Sequence, residues 1–508
     1  METLRSLIQI ITQKRVKKIE LFDEENRNKD SHYYTLFQGI HQRKFKNDQD
    51  AASQIYNCDA SEKKYLILKT RLKQKLINTI FFLDISLNDG ITERDLVKHE
   101  CERMLFQAKT LLLCGSDEVA VGLVDKITKK AESFGVTEVN LEISKILFDY
   151  YAKKGLKQDF LMYNELIQKY AKELQLEQDA HRQWKMLEFE FKKESMTNES
   201  LLAEIDKNLS WWNDKKEYLN HNIMLKKYYE SVLILKSRLE HNYVNTEKYS
   251  SEYLSFMQNN HNFFSQTEEN NIVLVRLNNF LLAKNYQAVE NLAQKNIGEN
   301  LFFWIYNQEY RIIAYLHNQE YKKAYQLFYK TLDENNFRKV REDRFDLWNV
   351  FVALLQYLHR QDKIEGSRPI PPINKLNFRQ VNFLKNIPTY NKQKRGLYIN
   401  WITIQILSHL DKLDFVQFGN CLKELNQYCR RYPKKDGSFR SECFINMLNI
   451  LQKTDYRYYA TQKATQELYQ MMQATPIEYR NSFRNIEIVP YEVYWRWIIE
   501  KIKVYKYA

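Results

Sequence analysis

Proline and glycine are scarce in this chain, at 7 and 11 of 508 residues, and no proline occurs before Pro369. So few breakers and turn formers argue against an all-β sandwich or barrel, whose many tight turns need both. They also argue against nucleotide folds built on glycine-rich loops. Neither G-x-x-x-x-G-K-[ST] nor G-x-G-x-x-G is present, and H-E-x-x-H and G-x-S-x-G are missing too. The six cysteines (Cys58, Cys101, Cys114, Cys421, Cys429 and Cys443) form no C-x-x-C, and no Cys/His cluster has zinc spacing. Free thiols in a reducing compartment are the expectation. No stretch approaches the ~18 consecutive apolar residues of a membrane span. The opening "METLRSLIQIITQKRVKKIELF" lacks a signal peptide's apolar core and cleavage site. A cytoplasmic protein is expected, with no catalytic residue, metal or cofactor assigned.

What remains is helix. Hydrophobic content of 44% with 28% charged residues suits a folded chain, and the length calls for two or three domains or an extended array. In "YLILKTRLKQKLINTIFFLDI", Tyr65, Leu68, Leu72, Leu76, Ile80 and Leu83 make one apolar stripe at helical spacing. "SLNDGITERD" breaks the pattern, and Thr92 reads as the cap of the next helix. Residues 1–90 are thus read as an N-terminal helical module. From about 92 to 358 the chain reads as hairpin after hairpin, with a short amphipathic helix around Tyr253, Phe256 and Met257 and core anchors at Trp211 and Trp212. At 361 the composition changes. The first four prolines fall in "QDKIEGSRPIPPINKLNFRQVNFLKNIPTYNKQKRGL", read as an irregular crossing segment that opens a C-terminal module, 361–508. "LYINWITIQILSHL" is apolar on nearly every side, which marks a buried helix, and "EVYWRWIIEKIKVYKYA" reads as an amphipathic helix capping the array.

Two segments align at an offset of 35 residues, "NFLLAKNYQAVENLAQKN" and "AYLHNQEYKKAYQLFYKT". Tyr286 falls on Tyr321, Val289 on Ala324 and Leu282 on His317. The second segment places a polar turn (His317 to Glu320) before Tyr321, Ala324 and Phe328. Ala324 is small enough for two helices to lie close, and Tyr321 and Phe328 can fill the groove between stacked hairpins. Weaker echoes keep Gly115 with Ala120, Gly155 but with Phe160 where the small residue belongs, and Phe415 at the tyrosine position. This pattern resembles the tetratricopeptide (TPR) family, whose period is roughly 34 residues. The resemblance implies an all-α, TPR-like α-solenoid of antiparallel helix hairpins over 91–360. An irregular helical bundle is the other architecture that such spacing fits. One departure from the family is Gln319 in place of the turn glycine, so this turn is expected to be built differently. The chain also resembles helical proteins of Bacteroidota in "KRVKKIELFDE", "FRSECFINMLNIL" and "NIEIVPYEVYWRWI", a likeness that carries no activity and no catalytic residues.

Charge is uneven. The formal net charge is +13, yet residues 1–360 hold 53 basic and 51 acidic residues, against 24 and 13 in 361–508. Residues 366–410 contain Arg368, Lys375, Arg379, Lys385, Lys392, Lys394 and Arg395 and no acid. A second cluster follows at Arg430, Arg431, Lys434, Lys435 and Arg440. A one-signed surface recruits anions, whether nucleic acid, an acidic protein or lipid headgroups. The interleaved Phe378, Phe383, Tyr390 and Tyr398 would suit stacking on bases, or would simply anchor the segment to the core. The ten histidines are scattered singly, and His317 and His409 fall at predicted turns, where exposure is expected. The expected function is a non-catalytic scaffold or adaptor for a protein or peptide partner, possibly as a subunit of a larger assembly. The alternative is a nucleic-acid-associated factor acting through the basic C-terminal third.

Overall fold

The computed structural model describes the chain except residues 14–30, 81–82, 84, 86–89, 194–195, 296–300, 341–343, 365–394, 432–438, 478–486 and 505–508. Among the described residues there is no β-strand, and the chain is helical nearly throughout. It divides into two compact units, Met1–Ala171 and Lys172–Ala508.

In the first unit, α1 (Glu2–Gln13), α2 (His32–His41), α3 (Asp48–Tyr56) and α4 (Lys63–Thr79) enclose a core of their own, from Leu4 and Ile8 to Leu72 and Leu76. The apolar stripe of α4 faces it, except that Ile80 is turned outward. Gly39 is required on α2, because a Cβ there would run into the Phe45 ring. Next come α5 (Glu93–Leu113), α6 (Asp117–Ser133) and α7 (Thr137–Lys154), each packed on its neighbours around small aliphatic side chains such as Ala108, Val124, Ile127 and Ala131. Thr92 opens α5 with a reciprocal capping box to Asp95, which fixes where the helix starts.

Then α8 runs unbroken from Lys157 to Lys193, 37 residues where hairpins were expected. Its sequence holds no glycine or proline and is rich in Glu, Lys, Gln, Leu and Met, so nothing in it stops a helix. The boundary between the two units falls within it.

The second unit continues with α9 (Asn198–Trp212), α10 (Ile223–Leu239), α11 (Tyr243–Asn259), α12 (Gln266–Leu282), α13 (Tyr286–Lys295), α14 (Leu301–His317), α15 (Tyr321–Asp333) and α16 (Phe345–Arg360). Each packs on the next. Trp212 is buried, and its indole N–H donates to Asn208. Tyr321, Ala324 and Phe328 are buried on α15, as their spacing predicts. The unit ends with α17 (Arg395–Asp411), α18 (Phe415–Arg431), α19 (Phe439–Lys453), α20 (Tyr458–Ala474) and α21 (Tyr491–Val504). Every residue of α17 from Arg395 to Leu410 is buried.

α21 does more than cover an end. Tyr494 donates to Asn400 of α17, Tyr491 stacks on Phe444 of α19, and Trp497 meets Tyr321 of α15 and Tyr357 of α16. It is a wall of the core, and one cluster of buried side chains runs across residues 254–502.

One device ends helix after helix. Among the described residues, ten helix ends share one left-handed turn, at Arg43, Gly115, Gly135, Gly155, His241, Lys284, Gln319, Asp362, Leu413 and Asp455, while Asn57 after α3 is left-handed with a different bonding pattern. In each of the ten, the residue's own N–H donates to the carbonyl three residues back, and the next N–H reaches the carbonyl five residues back. Seven of the ten are not glycine. Gln319 takes φ +60°, so the turn after α14 is built like the glycine turns, not differently, and the tertiary contacts of α14 and α15 carry the strain.

Candidate functional site

The basic residues of the C-terminal third have three different fates. Arg368, Lys375, Arg379, Lys385, Lys392 and Lys394, and Lys434 and Lys435, lie outside the described residues, as do Phe378, Phe383 and Tyr390. Arg430 and Arg431 are exposed on the last turn of α18. Arg395, by contrast, is buried in the first turn of α17, its guanidinium 3.4 Å from the Ser441 hydroxyl, and is not available to a partner.

Arg440 is withdrawn in the same way. It is 5% exposed and donates to both oxygens of Glu487 at 2.7 and 2.9 Å, to Glu492 at 2.6 Å and to the carbonyls of Met472 and Thr475. Glu487 also accepts from the Tyr491 N–H at 3.1 Å, at the N-terminus of α21. His317 joins the same network from α14. Its Nε2 donates to the Glu487 carbonyl at 2.6 Å, and the ring is buried rather than exposed at a turn. Burial drives its pKa down to about 4 in spite of that bond, so the imidazole is neutral at physiological pH. His409 is likewise buried, 3.7 Å from Asp414. A second buried pair, Glu309 with Arg344, is completed by the Trp348 indole N–H at 2.9 Å. Arg440, Glu487, Glu309, Arg344 and Trp348 are committed to one another, and these networks hold helices together.

A different arrangement occurs where α8, α10 and α12 end and α9 and α11 begin. These ends surround a small open cleft lined by Phe191, Asn198, Arg238, Tyr243, Asn278 and Leu282, among others. Two of its side chains are polar and uncommitted. Among the described residues, no oxygen accepts a hydrogen bond from the half-buried Arg238 guanidinium, which lies over the Phe191 ring at 4.9 Å. Burial pushes its pKa down, and the titratable group that acts on it is the Tyr310 phenol, with no carboxylate taking part among the described residues. Asn278 is 9% exposed and makes no side-chain hydrogen bond with the described residues. Its neighbour Asn279 is occupied, donating to the Tyr243 carbonyl at 2.9 Å. An arginine stays protonated at any physiological pH, so this half-buried guanidinium carries a charge that no carboxylate of the described residues pairs with. Sequence reading missed this site. The trace in sequence is slight, a cation that follows the apolar run Val232 to Leu235 on α10.

Among the described residues, no group of three His, Cys, Asp or Glu side chains stands close enough to hold a metal ion. No helix of these residues is long and apolar enough to cross a membrane. Compared with known proteins, the chain matches no family model, no curated protein and no solved structure.

Proposed function

We propose that the chain is a non-catalytic, cytoplasmic helical-repeat scaffold that binds a protein or peptide partner, its hairpins stacked as a TPR-like α-solenoid over 91–360. The recurrence of one left-handed turn at ten helix ends carries this reading. A single turn geometry repeated between sequential helices is what a stacked array needs, since each unit must hand the chain to the next in the same way. Helix-on-next-helix packing within α5–α7 and within α9–α16 supports it. Arrays of this kind recognise partners by surface, which requires no catalytic group.

Affinity capture by the full chain from its native cell, with and without nuclease, tests the proposal. One protein recovered in both arms at 50 and 300 mM salt is the expected result. Loss of all captured material on nuclease treatment would transfer the function to nucleic acid.

That second reading is favoured by the charge of residues 361–508 and the exposure of Arg430 and Arg431. Each phosphate contact adds close to one unit to the salt slope, so nucleic-acid binding would weaken steeply with salt. Arg430→Glu with Arg431→Glu would then lower affinity, whereas reversing Arg395 would unfold α17 and prove nothing.

A further inference from the structure

The guanidinium of Arg238 decides what the cleft can hold. It lies against an aromatic ring that uses none of its N–H groups, and no carboxylate of the described residues neutralises it. Five N–H donors in a planar fork match a carboxylate in shape as well as charge. Asn278 lines the same cleft with an amide that the rest of the described protein leaves unused. Phe191, Leu239, Val275 and Leu282 supply apolar wall, beside the polar Asn198, His241, Tyr243 and Asn279. A phosphate would bring up to two charges and three acceptor oxygens to a lining with a single guanidinium, so it fits less well.

We propose that this cleft binds a carboxylate carried on an apolar body, with Arg238 and Asn278 taking the carboxylate and Phe191, Val275 and Leu282 receiving the body. Two sources share that chemistry, a free monocarboxylic acid and the terminal carboxylate of a peptide. The inference does not depend on the scaffold reading, because a cleft of this kind can serve a protein that captures no partner at all.

Isothermal titration calorimetry on the full chain tests it with four probes: 4-phenylbutanoate, its uncharged amide, and the tripeptide Gly-Gly-Phe as free acid and as C-terminal amide. At least one acid is expected to bind about tenfold or more tightly than its own amide. Arg238→Met should remove that preference while its thermal unfolding stays at or above that of the parent, since an uncompensated charge has been taken out. Asn278→Ala should weaken the same acid by a smaller factor, and it decides the matter if Arg238→Met fails to fold. Tight binding of phenylbutanoate assigns the free acid, and binding of the peptide acid alone assigns the chain terminus. Acids and amides that bind alike, acids that do not bind at millimolar concentration, or an Arg238→Met protein that keeps its acid preference would each overturn the proposal.

Discussion

The helices α5–α7 and the assembly α14–α21 are both packed groups of helices, yet they are held by different means. Between α5, α6 and α7 the charged contacts are exposed rungs: Lys98 to Glu138, Lys130 to Glu100, Lys109 to Glu142, Lys153 to Asp117 and Lys154 to Glu118. The turns there use glycine, and the core is thin and aliphatic. In α14–α21 two ion pairs, Glu309 with Arg344 and Arg440 with Glu487, are buried, the core is aromatic, and the turns use Gln319, Asp362, Leu413 and Asp455. Contacts in the first stretch join neighbours, whereas His317 reaches Glu487 across 170 residues. Local packing therefore relies on residues whose conformational preference already suits the turn. Where long-range burial supplies the stability, the turn residue is freed from that requirement.

The comparison can be broken most directly at Arg440. Arg440→Ala leaves Glu487 charged and buried, and should cost about 3–5 kcal/mol in urea unfolding. Replacing both partners, Arg440→Met with Glu487→Leu, should recover most of that loss. A double variant as unstable as the single one would mean that the other contacts of Arg440, not the ion pair, dominate.

Acid should separate the two units. Burial depresses the His317 pKa from 6.5 to about 4, so the unfolded chain binds the proton first. Stability from this group is complete above pH 6.5 and is lost as pH falls toward 4, on the order of 3 kcal/mol in all. The groups that act on the ring are Glu492, Arg440 and Lys284. In the first unit, Asp48 is pushed up by partial burial but held at about 2 by hydrogen bonds from Lys69 and Tyr65. Its contribution is present above pH 4 and is lost only between there and 2. Denaturant titrations at pH 7.5, 5 and 3 with fluorescence from tryptophans of the second unit should show the earlier loss, and His317→Gln should remove it.

Smaller effects sharpen the contrast at the turns. Gly135→Ala should destabilise by about 1 kcal/mol, and Leu413→Gly should stabilise by up to about 1 kcal/mol, because only glycine enters the left-handed region freely. Equal and opposite shifts in urea midpoint check both. The least change is expected at the exposed rungs, where Lys153→Ala should cost at most ~0.5 kcal/mol and less at high salt.

Much of the helical content was legible in the sequence because it is written locally. The stripe of Tyr65, Leu68, Leu72 and Leu76, the Thr92 cap and the fully apolar α17 all follow from spacing within one or two turns. The length of α8 was not legible as such, since absence of a breaker resembles a well-behaved hairpin sequence. The left-handed role of Gln319 and Leu413 was hidden because neither side chain prefers it, and the decision is made by packing. Burial of Arg395, Arg440, His317 and His409 was hidden for a similar reason. Their partners lie far along the chain, and a charged residue in sequence gives no sign of the helix that will cover it. The cleft at Arg238 draws on five helices, so no short window contains it.

The position of α21 also has a consequence in time. Tyr494 and Trp497 complete a core that also takes in α14, which begins at Leu301. A ribosome adding roughly 5–20 residues per second needs on the order of ten to forty seconds to travel from one to the other. During that interval α14–α19 have emerged with their aromatic faces uncovered, so the nascent protein passes through a sticky, half-built stage that a chaperone or the ribosome surface must shelter until Trp497 arrives.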